Sequence, residues 1–155
     1  MKILKTSALA ALLAVSYLQS PAQTPTVPIN EPNYNKPKLF SDLPDNLSLR
    51  LTDMEALLDL LVGTPVASSI ATGFPLTGVV VSKSNPSDAF VKTVVIKSSN
   101  RPGAIFTFSR VTSIDGSFSY TGRMMSKDAG DALEIIKEAN GYVIRKKGLY
   151  DLISE

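Results

Sequence analysis

The sequence predicts an α+β domain: a mostly antiparallel sheet built on a four-strand meander, with two helices packed on one face. Three observations lead there. Residues 74–125 are rich in Val, Ile, Thr, Phe and Ser and are cut by turn-forming clusters at strand spacing. Two flanking stretches, starting near Met54 and Ala132, repeat apolar residues at i, i+3, i+4 and i+7, as amphipathic helices do. The connections within 74–125 are too short to hold crossover helices, so consecutive strands there pair antiparallel.

Along the chain, Lys2 and Lys5 precede an apolar run from Ala8 to Leu18 that ends in Ser20-Pro21-Ala22. That order of charge, apolar core and small residues is the layout of a secretory signal peptide. The run is about half of the roughly 20 residues a bilayer-spanning helix needs. Residues 1–22 therefore read as a leader, cleaved to leave Gln23 first, and no later segment is long and apolar enough to span a membrane. The expected location is exported, either periplasmic or extracellular. Residues 23–46 hold Pro25, Pro28, Pro32, Pro37 and Pro44 and read as a linker or extended arm, with Tyr34, Leu39, Phe40 and Leu43 available to pin it down. Residues 47–155 are expected to form one domain.

Within that domain, Leu47-Ser48-Leu49-Arg50-Leu51 alternates like a half-buried strand. Thr52-Asp53-Met54-Glu55 has capping-box spacing, and Met54, Leu57, Leu58 and Leu61 mark a first helix stopped by Gly63 and Pro65. Strands follow at about 74–83, 90–98, 104–114 and 117–125, the last two joined at Asp115-Gly116. A second helix is predicted from Ala129, with Ala132, Ile135, Ile136 and Ala139 as its stripe and Asn140-Gly141 as its stop. Tyr142 to Arg145 reads as a final strand.

Composition excludes much chemistry. The chain has no histidine and no cysteine, so Ser-His-Asp and Cys-His catalysis and zinc sites of N and S ligands cannot be built. Nucleotide-binding glycine loops, Ser-x-x-Lys and calcium-loop patterns are likewise missing. Without Lys2 and Lys5, the precursor's 16 basic residues become 14, against 14 acidic, so net charge argues for no nucleic-acid partner. No cofactor or metal is expected.

What remains for catalysis is a carboxylate cluster, Asp128, Asp131, Glu134 and Glu138, on the predicted second helix. Placed on the wet side of that helix, these acids need no function. Residues 83–127 carry Lys83, Lys92, Lys97, Arg101, Arg110, Arg123 and Lys127 against only Asp88 and Asp115, so the meander's open face should be positive. A two-residue turn at Asp115-Gly116 would set Val111 opposite Tyr120 and Phe108 opposite Arg123. Phe106, Phe108, Arg110 and Arg123 then share a side, and aromatics beside arginines on an open sheet have the composition of a recognition surface. Those four are the candidate ligand-binding residues, with an unknown protein or an anionic ligand as partner. The function read from the sequence is an exported non-catalytic binding or interaction module. The alternative is a carboxylate-dependent enzyme acting on carbohydrate or cell-wall material.

Overall fold

Glycines that reach positive φ punctuate this chain at the ends of alternating apolar runs, and the backbone reverses at each of them. Gly73 (φ 76°), Gly116 (φ 82°) and Gly141 (φ 134°) close three hairpins in conformations that L-residues rarely adopt. In the computed structural model, Asn33 and residues 35–152 are described; the predicted leader and the first part of the proline-rich arm lie outside them. The elements are β1 (Asn46–Ser48), α1 (Leu51–Leu57), β2 (Pro65–Ala71), β3 (Phe74–Lys83), β4 (Val91–Ser98), β5 (Ile105–Thr112), β6 (Phe118–Met125), β7 (Asp131–Glu138) and β8 (Gly141–Gly148).

Strands β2 to β8 lie side by side in chain order, each antiparallel to the next, and β1 adds to the far side of β8. Just past β1, Leu49 bridges Ala71 of β2, and the Arg50 N–H donates to the Ile70 carbonyl at 2.9 Å. The two ends of the eight-stranded sheet therefore touch at one point, and the sheet curls into a half-barrel around an apolar interior. Alternate residues point inward. Leu76 and Val80, Val94 and Ile96, Phe106 and Phe108, and Leu133 and Ile135 fill the inside, where full burial of each such side chain stabilises by about 1.5–3 kcal/mol.

At the Phe74 end, residues 36–45 close the curl. The buried Asp131 carboxylate accepts the Leu39 and Phe40 N–H groups at 2.6 and 3.0 Å. Phe40 meets Phe74 edge-on at 6.5 Å, and the Arg101 guanidinium lies over both rings while it binds Asp42 through two nitrogens. The stretch read as a linker thus supplies Phe40 and Leu43 to the core. At the opposite end α1 packs with Met54 and Leu57 inward.

The α+β expectation is wrong: the molecule is nearly all sheet, with α1 as its single short helix among the described residues. The predicted second helix is β7 and its turn. Ala132, Ile135 and Ile136 fit a helical stripe, but β7 is covered on both sides, by the curl's interior and by Leu149 and Leu152 over Ala132. Two-sided burial erases the polar alternation that marks a strand. Asn140-Gly141, read as a helix stop, belongs to a hairpin in which Glu138 pairs with Gly141.

The first helix exists but is shorter than its apolar stripe. Its N-cap is Arg50, with no side-chain cap bond, so Thr52 to Glu55 forms no capping box. Asp53 instead pairs with Arg50 at 2.8 Å, and Leu61, placed in the core by its spacing, is 74 % exposed beyond the helix end. Strands β3 to β6 fall where the meander was read, and β2 falls where no strand was expected.

Candidate functional site

Ser113 and Ser117 bracket a three-residue loop in which the Gly116 N–H donates to the Ser113 carbonyl and the Ser113 N–H to the Ser117 carbonyl, each at 2.9 Å. The reversal is thus a tight turn followed by one left-handed glycine, not a two-residue turn, and it shifts the β5–β6 register by one residue. Phe108 faces Gly122 and Arg110 faces Tyr120. Because a one-residue slip sends side chains to the other face, the predicted grouping fails. Phe106 and Phe108 are core residues, at 2 % and 0 % exposure, and Arg110 projects inward above them. Arg123 lies on the outer face, where its guanidinium binds Glu134 at 2.8–3.0 Å. The four candidates do not form one exposed surface.

The uneven charge is largely cancelled by pairing across the fold. Lys92 meets Asp59, Arg101 meets Asp42, Arg110 meets Glu55 and Arg123 meets Glu134, so acids from the flanks neutralise the basic meander. The acids named as a possible catalytic cluster are separated in space and role. Asp131 holds the 36–45 segment, Glu134 takes Arg123 and Lys147, and Glu138 takes Arg145. Burial pushes the Glu134 carboxyl up, but hydrogen bonds from Lys147 and Arg123 outweigh it and hold the group below the usual carboxylate range. Among the described residues no three acids are placed to hold a metal ion, and no helix is long and apolar enough to cross a membrane.

The end of the curl that carries α1 is different. Strands β5 and β6 share eight residue pairs, as do β7 and β8, but β6 and β7 share only four, from Gly122 opposite Ile135 to Met125 opposite Ala132. Above Gly122 the two strands part, and Phe118 to Thr121 have no partner strand on their β7 side. Polar and aromatic side chains gather behind this opening. The Tyr120 hydroxyl donates to Glu55 of α1 at 2.6 Å, and the Tyr120 N–H donates to the Tyr142 hydroxyl at 3.2 Å. The rings of Phe108 and Tyr120 stack at 5.9 Å, and Tyr142 meets Tyr120 edge-on at 5.2 Å. Arg110 lies 4.5 Å over the Phe118 ring and 3.6 Å from Glu55, and its buried Nε has no hydrogen-bond acceptor. Burial and the Glu55 hydrogen bond push the Tyr120 hydroxyl up to about 12, so it stays a neutral donor.

Large apolar side chains are also exposed at this end of the curl. Phe118 is 48 % exposed, Phe90 59 % and Ile114 fully exposed, while Leu61 and Val62 follow α1 and border a shallow depression with Val81. The Asp59–Lys92 pair ties the α1 side of this patch to β4. Sequence reasoning missed the site because its signals are a lost strand pairing and a register, neither of which is written in residue types. A second furrow, on the outer face of β5 and β6 along Thr107, Ser109, Thr121 and Arg123, has its arginine already bound by Glu134. No protein-family model, no curated protein and no solved structure matches this chain.

Proposed function

We propose that this protein is an exported, non-catalytic interaction module that binds a protein partner at the end of its curled sheet carrying α1 and the 84–90 and 113–117 loops. The observation that carries the reading is the gathering of Phe90, Ile114, Phe118, Leu61 and Val62 in exposed positions at that one end. Scattered apolar side chains need no explanation, but a grouped set rimmed by polar residues marks an interaction surface. The interior supports the same reading, since it is filled by core side chains and leaves the ends and outer faces for recognition. Export rests on the leader-like order of Lys2, Lys5, the Ala8–Leu18 run and Ala22.

The test uses the purified protein as bait against envelope and medium fractions of its source. A bait carrying Ile114→Ser and Phe118→Ser together should lose the proteins that the parent and a Lys97→Ser control recover. Recovery of the same set by all three baits refutes the reading.

A further inference from the structure

Backbone geometry at the β6–β7 opening determines what kind of partner it can take. In a strand, the N–H and C=O of one residue point to the same edge and alternate from residue to residue. The Tyr120 N–H points into the opening, where the Tyr142 hydroxyl accepts it at 3.2 Å, so the backbone groups of Phe118 point there too. Had the ladder continued in register beyond Gly122 and Ile135, Tyr120 would oppose Lys137, whose own backbone groups then face the opening from the other side. Backbone groups at this spacing, of which Tyr142 meets only the Tyr120 N–H, are matched by one ligand chemistry, an extended peptide backbone.

The charges behind the edge add a side-chain preference. Arg110 reaches from β5 across to β6 by stacking on Phe118, and its Nε lacks an acceptor. Lys137 lies exposed across the opening and has no acidic partner among the described residues. Glu55 is shared between the Tyr120 hydroxyl and, at 3.6 Å, the Arg110 guanidinium, and Glu138 beside Lys137 is paired with Arg145. An acidic side chain on the inward face of an added strand would lie between Arg110 and Lys137.

We infer that the β6 edge above Gly122 is a strand-addition site for an extended segment of a partner protein bearing an acidic residue, held by Arg110 and Lys137. This rests on the interaction-module reading and narrows its partner. On binding, a carbonyl of the incoming strand replaces the Tyr142 hydroxyl as acceptor of the Tyr120 N–H, while Phe118 covers the strand's inward side.

The test titrates the full chain with labelled eight-residue peptides of alternating Val and Thr, with Asp, Asn or Lys at one central position. Two further Asp peptides are N-methylated on alternate amides, one in each phase. The Asp peptide should bind at least tenfold tighter than the Lys peptide and slow amide exchange at Phe118 and Tyr120. Methylation in one phase should abolish binding and in the other leave it unchanged. Lys137→Glu, an exposed change that leaves the core intact, should reverse the Asp-over-Lys preference.

Three results overturn the inference: no binding by any peptide at millimolar concentration, binding indifferent to methylation in both phases, or protection confined to other strands. Protection of the same amides that grows with protein concentration alone assigns the edge to a second copy of this chain and also overturns it. These outcomes leave the bait experiment untouched, so partner recovery that depends on Ile114 and Phe118 would preserve the broader function while strand addition fails.

Discussion

Replacing Phe108 with alanine tests the β5–β6 register directly. The ring is fully buried, 6.5 Å from Phe106 and 5.9 Å from Tyr120, both nearly parallel to it. Its cross-strand neighbours are Gly122 on β6, which has no side chain to swing into the space, and Val94 on β4, whose short branched side chain is itself buried. Phe→Ala in a core costs about 3–5 kcal/mol, depending on how far the surroundings collapse. With glycine opposite and flat rings on either side, collapse is poor, so the expected cost is about 4–5 kcal/mol. For a domain of this size that lowers Tm by roughly 10–20 °C. Urea and thermal melts of Phe108→Ala should be read beside Ile105→Ala and Val111→Ala, which remove outward side chains of the same strand and should each cost no more than about 1 kcal/mol. If Phe108→Ala costs less than about 1 kcal/mol, or less than either control, then the register, the core assignment and the site built on them are wrong.

Two further expectations concern titrating groups. Glu134 is held below the usual carboxylate range in the folded state, so its stabilisation is complete above the unfolded value near ~4.3 and is lost as pH falls through the lower folded value. The gap in urea midpoint between the parent and Glu134→Gln should therefore be widest near neutral pH and narrow between about pH 5 and 3; a constant gap would contradict the Arg123–Glu134–Lys147 arrangement. Tyr120 is shifted the other way, to about 12, so its contribution is complete below the unfolded value and fades as pH rises from about 10 toward 12. An ultraviolet titration should resolve one late tyrosine, abolished by Tyr120→Phe and moved down by Glu55→Gln, whereas co-titration of all tyrosines near their ordinary value would show Tyr120 to be solvated.

How much of this was legible in the sequence varies element by element. β3 to β6 could be read because Ser84 to Asp88, Asn100 to Gly103 and the Asp115-Gly116 pair punctuate runs of β-branched and aromatic residues. β2 could not, since Pro65-Val66-Ala67-Ser68-Ser69 offers little apolar alternation and its pairing with β3 is irregular between Ser69 and Ala71. β7 was hidden by cover on both faces, which leaves a run whose periodicity suits either element. The hairpin turned on one residue: Asp-Gly suits both two- and three-residue loops, and only the position of Ile114, inside the loop, separates them. The site followed the register, so Phe106 and Phe108 were placed outside when they are core, while Tyr120, Tyr142 and Glu55 passed unnoticed because nothing local links residues so far apart along the chain.

The bridge between Leu49 and Ala71, with β1 set against β8, has a consequence for how the chain acquires its structure. From β2 to β8 every strand pairs with its successor, so those hairpins need only short loops to close and can form as soon as each pair of strands is present. The closing contacts are of another kind: Asn46 meets Arg145 across 99 residues, and Asp131 waits for Leu39 and Phe40 from more than 90 residues upstream. β1 must therefore stay unpaired until β8 has arrived, and Leu39 and Phe40 must wait for β7, exposing Phe40, Leu43 and the open flanks of the sheet in the meantime. Assembly is gated by its C-terminal strand. A chain stopped short of β8 holds a meander with nothing for β1 to pair with, and its bare β7 flank is then the surface on which it would aggregate.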